Sequence, residues 1–578
     1  MPENEEKILV LEQTCIKIMN FFFSLDFLVG HNVQKNLFQL SPNLLPTEAN
    51  IIIYIIHPEI EYISQIEEQI KLISEGETKG RDKEKEYHCI FIPKITNECK
   101  EYLSQSEYKD KLIIHCLNIE IFPLDYDLLS MEGPNSFQDI FIEENYSSLK
   151  QLSRIIVNFE NMYGNYNNIY IKGKYAKILS DLVKKDEDIY GVKYNNNILS
   201  CIFMDRSVDY ITPFLTQCIY EGLIDEHFER QYDHVKVNPE IVDKPSTNPK
   251  VKIDLSKQER IYTMIKDYTF SSICRFLPKR LNLHKEIFQR TRAATDIKKV
   301  QENLVYLSQA KNESHLIHMH IGLASYIKKI QNNPTYKSFL AIEQRLLQRE
   351  HMDFIENLLQ DEISKCIDIN TIIKILCIDN LTIWNIKSKG YDKLKNDCIT
   401  IYGNQVKFLF DNLEKLKIIQ RKPDKKIYKS ILNKLNLINL DVNIHNPNDT
   451  SYVFSGFCPI SIRLIEMLLK EGWKANKDFL NSIPGTVEFP DNESSVLHPT
   501  KDNNIILLVF VGGITFSEIA AIRYINSHNE KYKFIIITTS IINPKSFINQ
   551  LRNCRQKEQG SDKNNGVSFS KKIKNLFK

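Results

Sequence analysis

The chain has 578 residues, of which 42% are hydrophobic and 26% are charged, and 75 basic and 73 acidic residues leave a formal net charge of +2. This balance excludes the strongly basic footprint of a dedicated nucleic-acid binder, and the length suffices for several buried cores. The 12 cysteines form no CxxC pair, so they predict neither a disulfide framework nor a zinc ribbon. Glu3, Glu5 and Glu6 argue against a signal peptide, and we expect a cytoplasmic protein.

The first predicted unit is α/β. Residues 49–58 (ANIIIYIIHP) and 87–93 (YHCIFIP) are short and apolar on both faces, as in strands of a parallel sheet covered by helices. Residues 59–74 between them carry isoleucines at helical spacing. We therefore assign residues 1–140 to an α/β domain one. Two more apolar runs predict further strands of this unit: 111–116 and 119–124.

A second α/β unit is split along the chain. A helix over 515–528 begins with a capping box, Thr515 with Glu518, and lies between two of the predicted strands. From 255 to 480 helical patterns dominate, and one helix is predicted to begin at a capping box formed by Ser256 and Glu259. The fold class is therefore α/β plus a large, mainly helical insertion. Four apolar runs predict the strands: 169–172, 198–205, 505–511 and 534–538. The predicted domains are domain two at 141–245 and 497–556, domain three at 246–496, and a basic tail at 557–578.

Gly512 and Gly513 are the most enzyme-like feature, because they stand between a predicted strand and a helix. A phosphate can bind at such a helix N-terminus. However, VGGITFSE is neither GxGxxG nor GxxxxGK[ST], and Glu518 carries a negative charge where the anion would sit. A tight strand–helix turn is the favoured interpretation.

The segment from Asp205 to Asp209 (DRSVD) directly follows a predicted buried strand. Two carboxylates there could hold a hydrated Mg²⁺. The alternative is that they tie down the loop, with Arg206 as ion-pair partner. A predicted helix start at Thr212 and Pro213, with Gly222 as its C-terminal stop, favours the structural alternative.

A histidine cluster and the search for catalytic motifs give no support to an enzyme. His315 and His318 share a helix face, but His320 points away from both, so one helix cannot converge all three on an ion. We find no HExxH, no GxSxG and no supported Cys–His arrangement. The residues by themselves predict a binding protein with no catalytic residues, no metal and no cofactor.

Longer motifs carry a family resemblance. Residues 201–228 (CIFMDRSVDYITPFLTQCIYEGLIDEHF) closely resemble the signature of the SM (Sec/Munc) family of SNARE-binding membrane-fusion regulators. The pattern DRxVDxxTPxxTQxxYEGLIDE is similar to that of its vacuolar protein sorting-associated protein 33 branch. Three other stretches match in register: 122–132 (FPLDYDLLSME), 446–464 (NPNDTSYVFSGFCPISIRL) and 509–523 (VFVGGITFSEIAAIR).

The resemblance implies an arch of three domains and no catalysis. Members of the family clasp SNARE helices between domains one and three. This branch is the SM subunit of HOPS and CORVET tethering complexes, so the chain is expected to associate peripherally with endosome, lysosome or vacuole membranes through its complex, and to bind no nucleic acid. The resemblance also makes nine residues the fold signature of domain two: Asp205, Arg206, Asp209, Thr212, Pro213, Gly512, Gly513, Thr515 and Glu518.

One partner site is carried over from the family. A Tyr and an Ile three residues apart in domain three pack on a helical solenoid subunit, and IYKSILNKL here supplies Tyr428 and Ile431. The spacing puts both on one face of a helix. The alternative is that they are ordinary core residues. Lys429 stands where the family usually has Pro.

Two other functions remain open from the sequence. One is an SM regulator of another trafficking step, at the plasma membrane or Golgi, against which YEGLIDE argues. The other is a two-Rossmann nucleotide-sugar transferase, which would require the missing phosphate-cradling loop. The tail at 557–578 is either a basic amphipathic segment on anionic membranes or a solubilising extension.

Overall fold

The structure is a computed structural model. It describes residues 7–22, 37–41, 50–76, 85–191, 198–242, 250–256, 258–292, 297–490, 497, 499–500 and 503–552. The predicted basic tail lies outside these residues. Among the described helices, none is both long and apolar enough to cross a bilayer.

The strands are numbered in chain order. They are β1 (Lys7–Leu11), β2 (Leu37–Gln39), β3 (Ile51–Ile56), β4 (Glu86–Phe91), β5 (Leu112–Cys116), β6 (Phe122–Pro123), β7 (Leu128–Ser130), β8 (Tyr166–Lys172), β9 (Ile198–Asp205), β10 (Glu229–Gln231), β11 (His234–Val237), β12 (Val251–Asp254), β13 (Val487–Glu488), β14 (Ile505–Val511) and β15 (Lys533–Thr538).

The helices follow the same convention. They are α1 (Gln13–Phe22), α2 (Ile60–Gly76), α3 (Asn97–Gln105), α4 (Ser147–Tyr163), α5 (Lys174–Tyr190), α6 (Tyr220–His227), α7 (Arg260–Ile265), α8 (Phe270–Arg292), α9 (Ile297–Gln331), α10 (Pro334–Leu347), α11 (Ile355–Ser364), α12 (Ile369–Thr382), α13 (Ser388–Tyr402), α14 (Gln405–Lys415), α15 (Lys425–Lys434), α16 (Ile460–Glu471), α17 (Lys477–Ser482), α18 (Phe516–His528) and α19 (Pro544–Arg552).

The first sheet is wholly parallel. Within the described residues its strand order is β2-β1-β3-β4-β5. Every residue of β3 is buried, as expected for a strand inside a parallel sheet that is covered on both faces. The chain crosses from one side of β1 to the other between β2 and β3, so the adjacent strands β1 and β3 mark the point where the strand order reverses.

The second sheet combines distant segments. In the described part of the chain its order is β13-β8-β9-β14-β15-β7-β6, with the five inner strands parallel and the two edge strands antiparallel. The pairing of β9 with β14 joins strands on either side of the helical region, which is the arrangement that the sequence predicts. The two edge strands, β6 and β13, and the inner strand β7 lie outside the limits that the sequence placed on domain two. We therefore propose that domain two begins before Phe122.

The helical region packs on both the second sheet and a small antiparallel sheet. The described strands β10, β11 and β12 form that three-stranded sheet, and a separate apolar cluster joins it to α6, α7, α8 and α9. The largest apolar cluster runs from the second sheet into α10 to α16 without interruption. The sheet therefore holds the helical region through continuous apolar contact.

One predicted helix start is wrong. Helix α7 begins after Glu259, whose carboxylate accepts hydrogen bonds from the backbone N–H of Ile261 and of Tyr262. Glu259 is therefore the N-cap, and the capping box predicted from Ser256 does not form at this helix. The Glu259 side chain is long enough to reach the backbone of the first turn, so Glu259 caps the helix at the end where Ser256 was predicted to do so.

Candidate functional site

Asp205 ends the central strand β9 and points at the start of α5. Its Oδ2 accepts the backbone N–H of Tyr175 at 2.6 Å and of Ala176 at 3.2 Å, and its Oδ1 accepts the N–H of Ser207 at 2.9 Å. Burial raises the pKa of Asp205, and these hydrogen bonds oppose that rise. The carboxylate occupies the helix N-terminus where a bound anion would sit. A Cβ on Gly173 would lie 2.2 Å from this carboxylate, so the approach requires glycine.

Arg206 and Glu518 form a bidentate ion pair inside the protein. The Arg206 Nη1 and Nη2 atoms lie 2.9 and 3.0 Å from the two Glu518 oxygens, and the side chains are 2% and 0% exposed. Burial alone would raise the pKa of Glu518, but the charge and hydrogen bonds of Arg206 hold it below its ordinary value. The pair joins the end of β9 to the first turn of α18.

Glu518 also completes the predicted capping box. The Thr515 Oγ1 accepts the N–H of Glu518, and the Glu518 carboxylate accepts the N–H of Thr515. The hydroxyl of Ser461, on α16, donates to the same carboxylate at 2.5 Å. The N-terminus of α18 is thus filled by a carboxylate, which leaves no place there for a phosphate.

Asp209 connects the loop after β9 to the helical region. Its Oδ1 accepts the N–H of Ile211 and of Thr212, and its Oδ2 accepts the Thr212 hydroxyl and the N–H of Ile460 at the start of α16. The two aspartates therefore bind backbone donors on separate elements. The arrangement matches the structural alternative and does not present converging carboxylates to a Mg²⁺ ion.

The predicted helix start at Thr212 and Pro213 is present, but the helix is a short 3-10 helix, Thr212–Phe214, and its N-cap residue is Ile211. The Thr212 side chain bonds back to Asp209. The predicted C-terminal stop is wrong. Gly222 does not end a helix, because it lies inside α6. Glycine is required at position 222 because the Gln217 side chain packs against it: a Cβ on Gly222 would lie 2.5 Å from Gln217 Oε1.

Gly512 and Gly513 make a close-packed turn between β14 and α18. Both have positive φ values, 89° and 100°, which favour glycine. A Cβ on Gly512 would lie 2.6 Å from a ring carbon of Phe141, and a Cβ on Gly513 would lie 2.6 Å from Ile542. The glycines bring the backbone against side chains of the core, in keeping with a tight turn.

The histidine cluster also separates in space. His320 is fully buried, with its ring nitrogens 2.9 Å from the Tyr220 hydroxyl and 2.9 Å from Glu259 Oε2. His315 is exposed. His318 Nδ1 lies against the carbonyl of Ser314 one turn earlier. The three residues do not converge on a shared position.

Tyr428 and Ile431 lie on α15 and are almost completely buried, at 4% and 5% exposure. The Tyr428 hydroxyl donates to the carbonyl of Leu347 at 3.0 Å. Both belong to the largest apolar cluster, which is the placement expected of core residues. They also line the inner wall of an apolar cavity of about 500 Å³ between the loop after β9 and the helical region. Ile427, which the sequence did not single out, is 41% exposed at its rim.

A second apolar surface lies along α8. A groove of about 630 Å³ is lined by Phe276 and by Leu283, and Leu283 is 45% exposed. Basic and acidic side chains, Lys279, Arg280 and Glu286, border the same groove. These residues are not among the partner-binding residues predicted from the sequence. Their i, i+7 spacing on one helix was the available signal.

Comparison with protein families now identifies the chain. Residues 7–550 match the Sec1 family. The chain belongs to the Sec1 family. The match covers both α/β units and the helical region between them, so the buried network around Asp205, Arg206 and Glu518 lies inside the family's shared fold.

Curated relatives of this Sec1-family chain are named for vacuolar sorting. It is 26% identical to vacuolar protein sorting-associated protein 33A of Rattus norvegicus, covering 90% of each chain. It is 25% identical to the vacuolar protein-sorting-associated protein 33 homolog of Arabidopsis thaliana, covering 88% of each. The similarity therefore spans nearly the full length of both relatives.

Solved structures share the fold at lower identity. The SM protein Vps45 in complex with the Qa SNARE Tlg2 superposes with a TM-score of 0.63 at 15% identity, covering 95% of this chain and 94% of that one. The Unc18–syntaxin 1 complex from Monosiga brevicollis gives a TM-score of 0.63 at 14% identity, covering 96% of both. The mixed α/β fold with its helical insertion is thus an SM fold.

Proposed function

We propose that the chain is a SNARE-binding subunit of a tethering complex of the HOPS or CORVET type, which promotes SNARE assembly in vesicle docking and membrane fusion. The observation that carries the proposal is the Sec1-family match over residues 7–550. The relatives named for vacuolar protein sorting support this branch, because they align over most of their own length. The complex would hold the chain peripherally on endosomal, lysosomal or vacuolar membranes.

SNARE binding is extended to this chain from its structural neighbours, two of which are described as complexes with a Qa SNARE and with syntaxin 1. The groove along α8 supports that step. It combines the half-exposed Leu283 with Phe276 and a charged border, and an amphipathic helix binds such a groove through apolar anchors on one face. We therefore propose that a SNARE helix contacts α8.

The test compares Leu283→Glu with Leu440→Glu in the full chain. Both leucines are exposed, at 45% and 67%, but Leu440 lies away from the groove. Loss of a hot-spot contact of about 2 kcal/mol corresponds to roughly 30-fold weaker binding. We expect that loss only for Leu283→Glu, measured by titration with fluorescently labelled cytosolic SNARE domains. Equal binding by wild type and both variants would contradict the role of the groove.

We propose no catalytic activity for the chain. The two helix N-termini at the ends of β8 and β14 are occupied by the carboxylates of Asp205 and Glu518. A nucleotide-sugar transferase would need one of these positions for phosphate. A panel of nucleotides and nucleotide sugars is expected to leave the melting temperature unchanged, since only a bound ligand raises it. A dose-dependent rise would contradict this part of the proposal.

The solenoid subunit of the complex is proposed to dock at the cavity beside α15. Ile427 is the exposed apolar residue at the rim, whereas Tyr428 and Ile431 form the inner wall. Apolar side chains of a partner can enter such a cavity and add to contacts that already exist there. In this arrangement Tyr428 and Ile431 support the docking surface from within the core.

A further inference from the structure

Three potential metal ligands meet at the carboxyl ends of two neighbouring strands. Glu12 follows β1, His57 follows β3, and Cys15 lies on the first turn of α1. Among the described residues, ligand atoms of these three side chains all lie within 4.8 Å of one another. They meet at the point where the strand order of the first sheet reverses, which is where open parallel sheets most often bind their ligands.

The donor set is specific in its chemistry. A thiolate, an imidazole and a carboxylate together suit zinc, whereas Mg²⁺ and Ca²⁺ prefer oxygen ligands alone. The side chains of Cys15 and Glu12 are buried, at 0% and 2% exposure, and that of His57 is 31% exposed. The site therefore has a closed inner side and one side that faces solvent.

One of the distances between the ligand atoms suits a tetrahedral ion, and another has to lengthen before an ion can enter. Zinc bonds of ~2.0–2.3 Å place ligand atoms roughly 3.3–3.8 Å apart. Cys15 Sγ lies 3.5 Å from His57 Nδ1 and meets this requirement. His57 Nδ1 lies 2.6 Å from Glu12 Oε1, a hydrogen-bond distance. The carboxylate has to withdraw by roughly 1 Å to admit the ion.

We propose that Glu12, Cys15 and His57 form a zinc site with an open fourth position for water. Three protein ligands and a solvent-facing fourth position distinguish this site from a closed structural zinc site, which has four protein ligands. On binding, the S–H bond of Cys15 breaks, its proton passes to solvent, and a sulfur–zinc bond forms. In the absence of the ion, burial and the neighbouring Glu12 keep the thiol protonated by raising its pKa well above the ordinary value.

Binding would connect the ion to a contact between domains. Helix α1 carries Phe21, whose ring centroid lies 5.8 Å from that of Phe122 in the second sheet and 5.4 Å from that of Tyr232. Zinc would tie the first turn of α1 to the end of β3, because its ligands come from both. The ion is therefore expected to steady the helix that carries this aromatic contact.

The first test uses Co²⁺ as a spectroscopic probe on the purified full chain. We expect one equivalent to give visible d–d bands and a near-ultraviolet thiolate band. Cys15→Ser should remove the thiolate band, and His57→Ala should weaken zinc binding more than ~100-fold in competition with a chromophoric chelator. Cys366→Ser and His351→Ala are the controls, since both residues are exposed and distant in sequence, and they should change neither signal.

A second measurement needs no variant and so does not depend on the variants folding. X-ray absorption of the wild-type chain loaded with one equivalent of zinc should give one sulfur at ~2.3 Å and nitrogen or oxygen ligands at ~2.0–2.2 Å. A zinc shell without sulfur would overturn the proposal. Retention of the cobalt thiolate band in folded Cys15→Ser, or its loss in Cys366→Ser, would also overturn it.

Discussion

The buried Glu518 carboxylate accepts hydrogen bonds from Arg206 and from the Ser461 hydroxyl. Among these described donors, only Arg206 carries a positive charge. Replacing it with methionine preserves much of the side-chain volume but leaves a buried carboxylate unpaired. Breaking such a pair costs about 3–5 kcal/mol. We therefore expect Arg206→Met to lower the free energy of unfolding by that amount in urea titrations.

The control for this variant is Arg421→Met. Arg421 also contacts a carboxylate through two nitrogens, with both distances to Asp392 at 2.9 Å, but the two side chains are 58% and 45% exposed. Exposed pairs contribute about 0–1 kcal/mol because water screens them. Equal destabilisation by the two substitutions would contradict a special role for the buried pair.

Substitution of Glu160 is predicted to raise the free energy of unfolding, whereas substitution of Arg206 lowers it. It is 1% exposed on α4, and burial together with the charge of Glu187 raises its pKa from 4.5 to about 8. The folded state therefore binds more protons than the unfolded state between these values, and stability falls as pH rises through that window. Glu160→Gln should raise the free energy of unfolding at pH 8 by roughly 4 kcal/mol, and leave it nearly unchanged near pH 4.5.

Glu101→Gln serves as the surface control, because Glu101 is exposed on α3. It should change stability little at either pH. A Glu160→Gln variant with the same effect at both pH values would show that hydrogen bonding or packing, rather than the ionisation of Glu160, governs stability here.

Residue roles divide into those set locally and those set by tertiary contact. The capping box of Thr515 and Glu518 could be predicted because both partners lie within one turn. The burial of Tyr428 could not, because the same spacing serves a core face and an interface, and only the contact with Leu347 separates them. Glu12 and His57 are 45 positions apart in the chain, and the strand register alone brings them together.

At the scale of elements, α9 crosses a short 3-10 helix, Pro239–Val242, at Gly322. A Cβ on Gly322 would lie 1.9 Å from the carbonyl oxygen of Ile241, so the two backbones touch. Gly322→Ala gains helix propensity of about 1 kcal/mol, but the clash with a backbone atom forces the elements apart. We expect a net loss of about 1–3 kcal/mol in the free energy of unfolding.

Ser325→Ala on the same helix provides the comparison, since Ser325 is exposed and the substitution only improves helix propensity. It should be neutral or slightly stabilising in the same urea titration. If Gly322→Ala is stabilising as well, the close approach of α9 to the 3-10 helix is absent in solution.

The bounds of strands and helices were predicted best where the element is completely buried. Strands β9 and β14 have the predicted bounds, because central strands covered on both faces give unbroken apolar runs. The edge strands β6 and β13 contain two residues each and have no pattern that separates them from a loop. The start of α7 was predicted wrongly because Ser256 and Glu259, three positions apart, can each cap a helix.

At the scale of the whole molecule, Arg523 on α18 links three distant segments. It lies within 2.9 Å of oxygens of Asp125 and Asp127, 3.0 Å from Asp267 and 3.4 Å from Glu221. These carboxylates belong to the start of the second sheet, the helix α6 and the loop after α7. Together with the continuous apolar cluster, the contacts predict that the second sheet and the helical region unfold as one cooperative unit.

The proposed docking of a solenoid subunit predicts unequal effects of two matched substitutions. Ile427 on α15 and Ile401 on α13 are 41% and 42% exposed, so a charge at either position has a similar effect on folding. Only Ile427 borders the cavity beside α15. Ile427→Asp should release the solenoid subunit, whereas Ile401→Asp should retain it.

The most direct test of the account is affinity purification of the tagged full chain from its own cells, with quantitative mass spectrometry of the proteins that remain bound. We predict near-stoichiometric solenoid subunits of a tethering complex together with SNAREs, with the solenoid subunits lost from Ile427→Asp and kept by Ile401→Asp. Recovery of a single syntaxin-like SNARE without any tethering subunit would contradict the account and assign the chain to another SM branch.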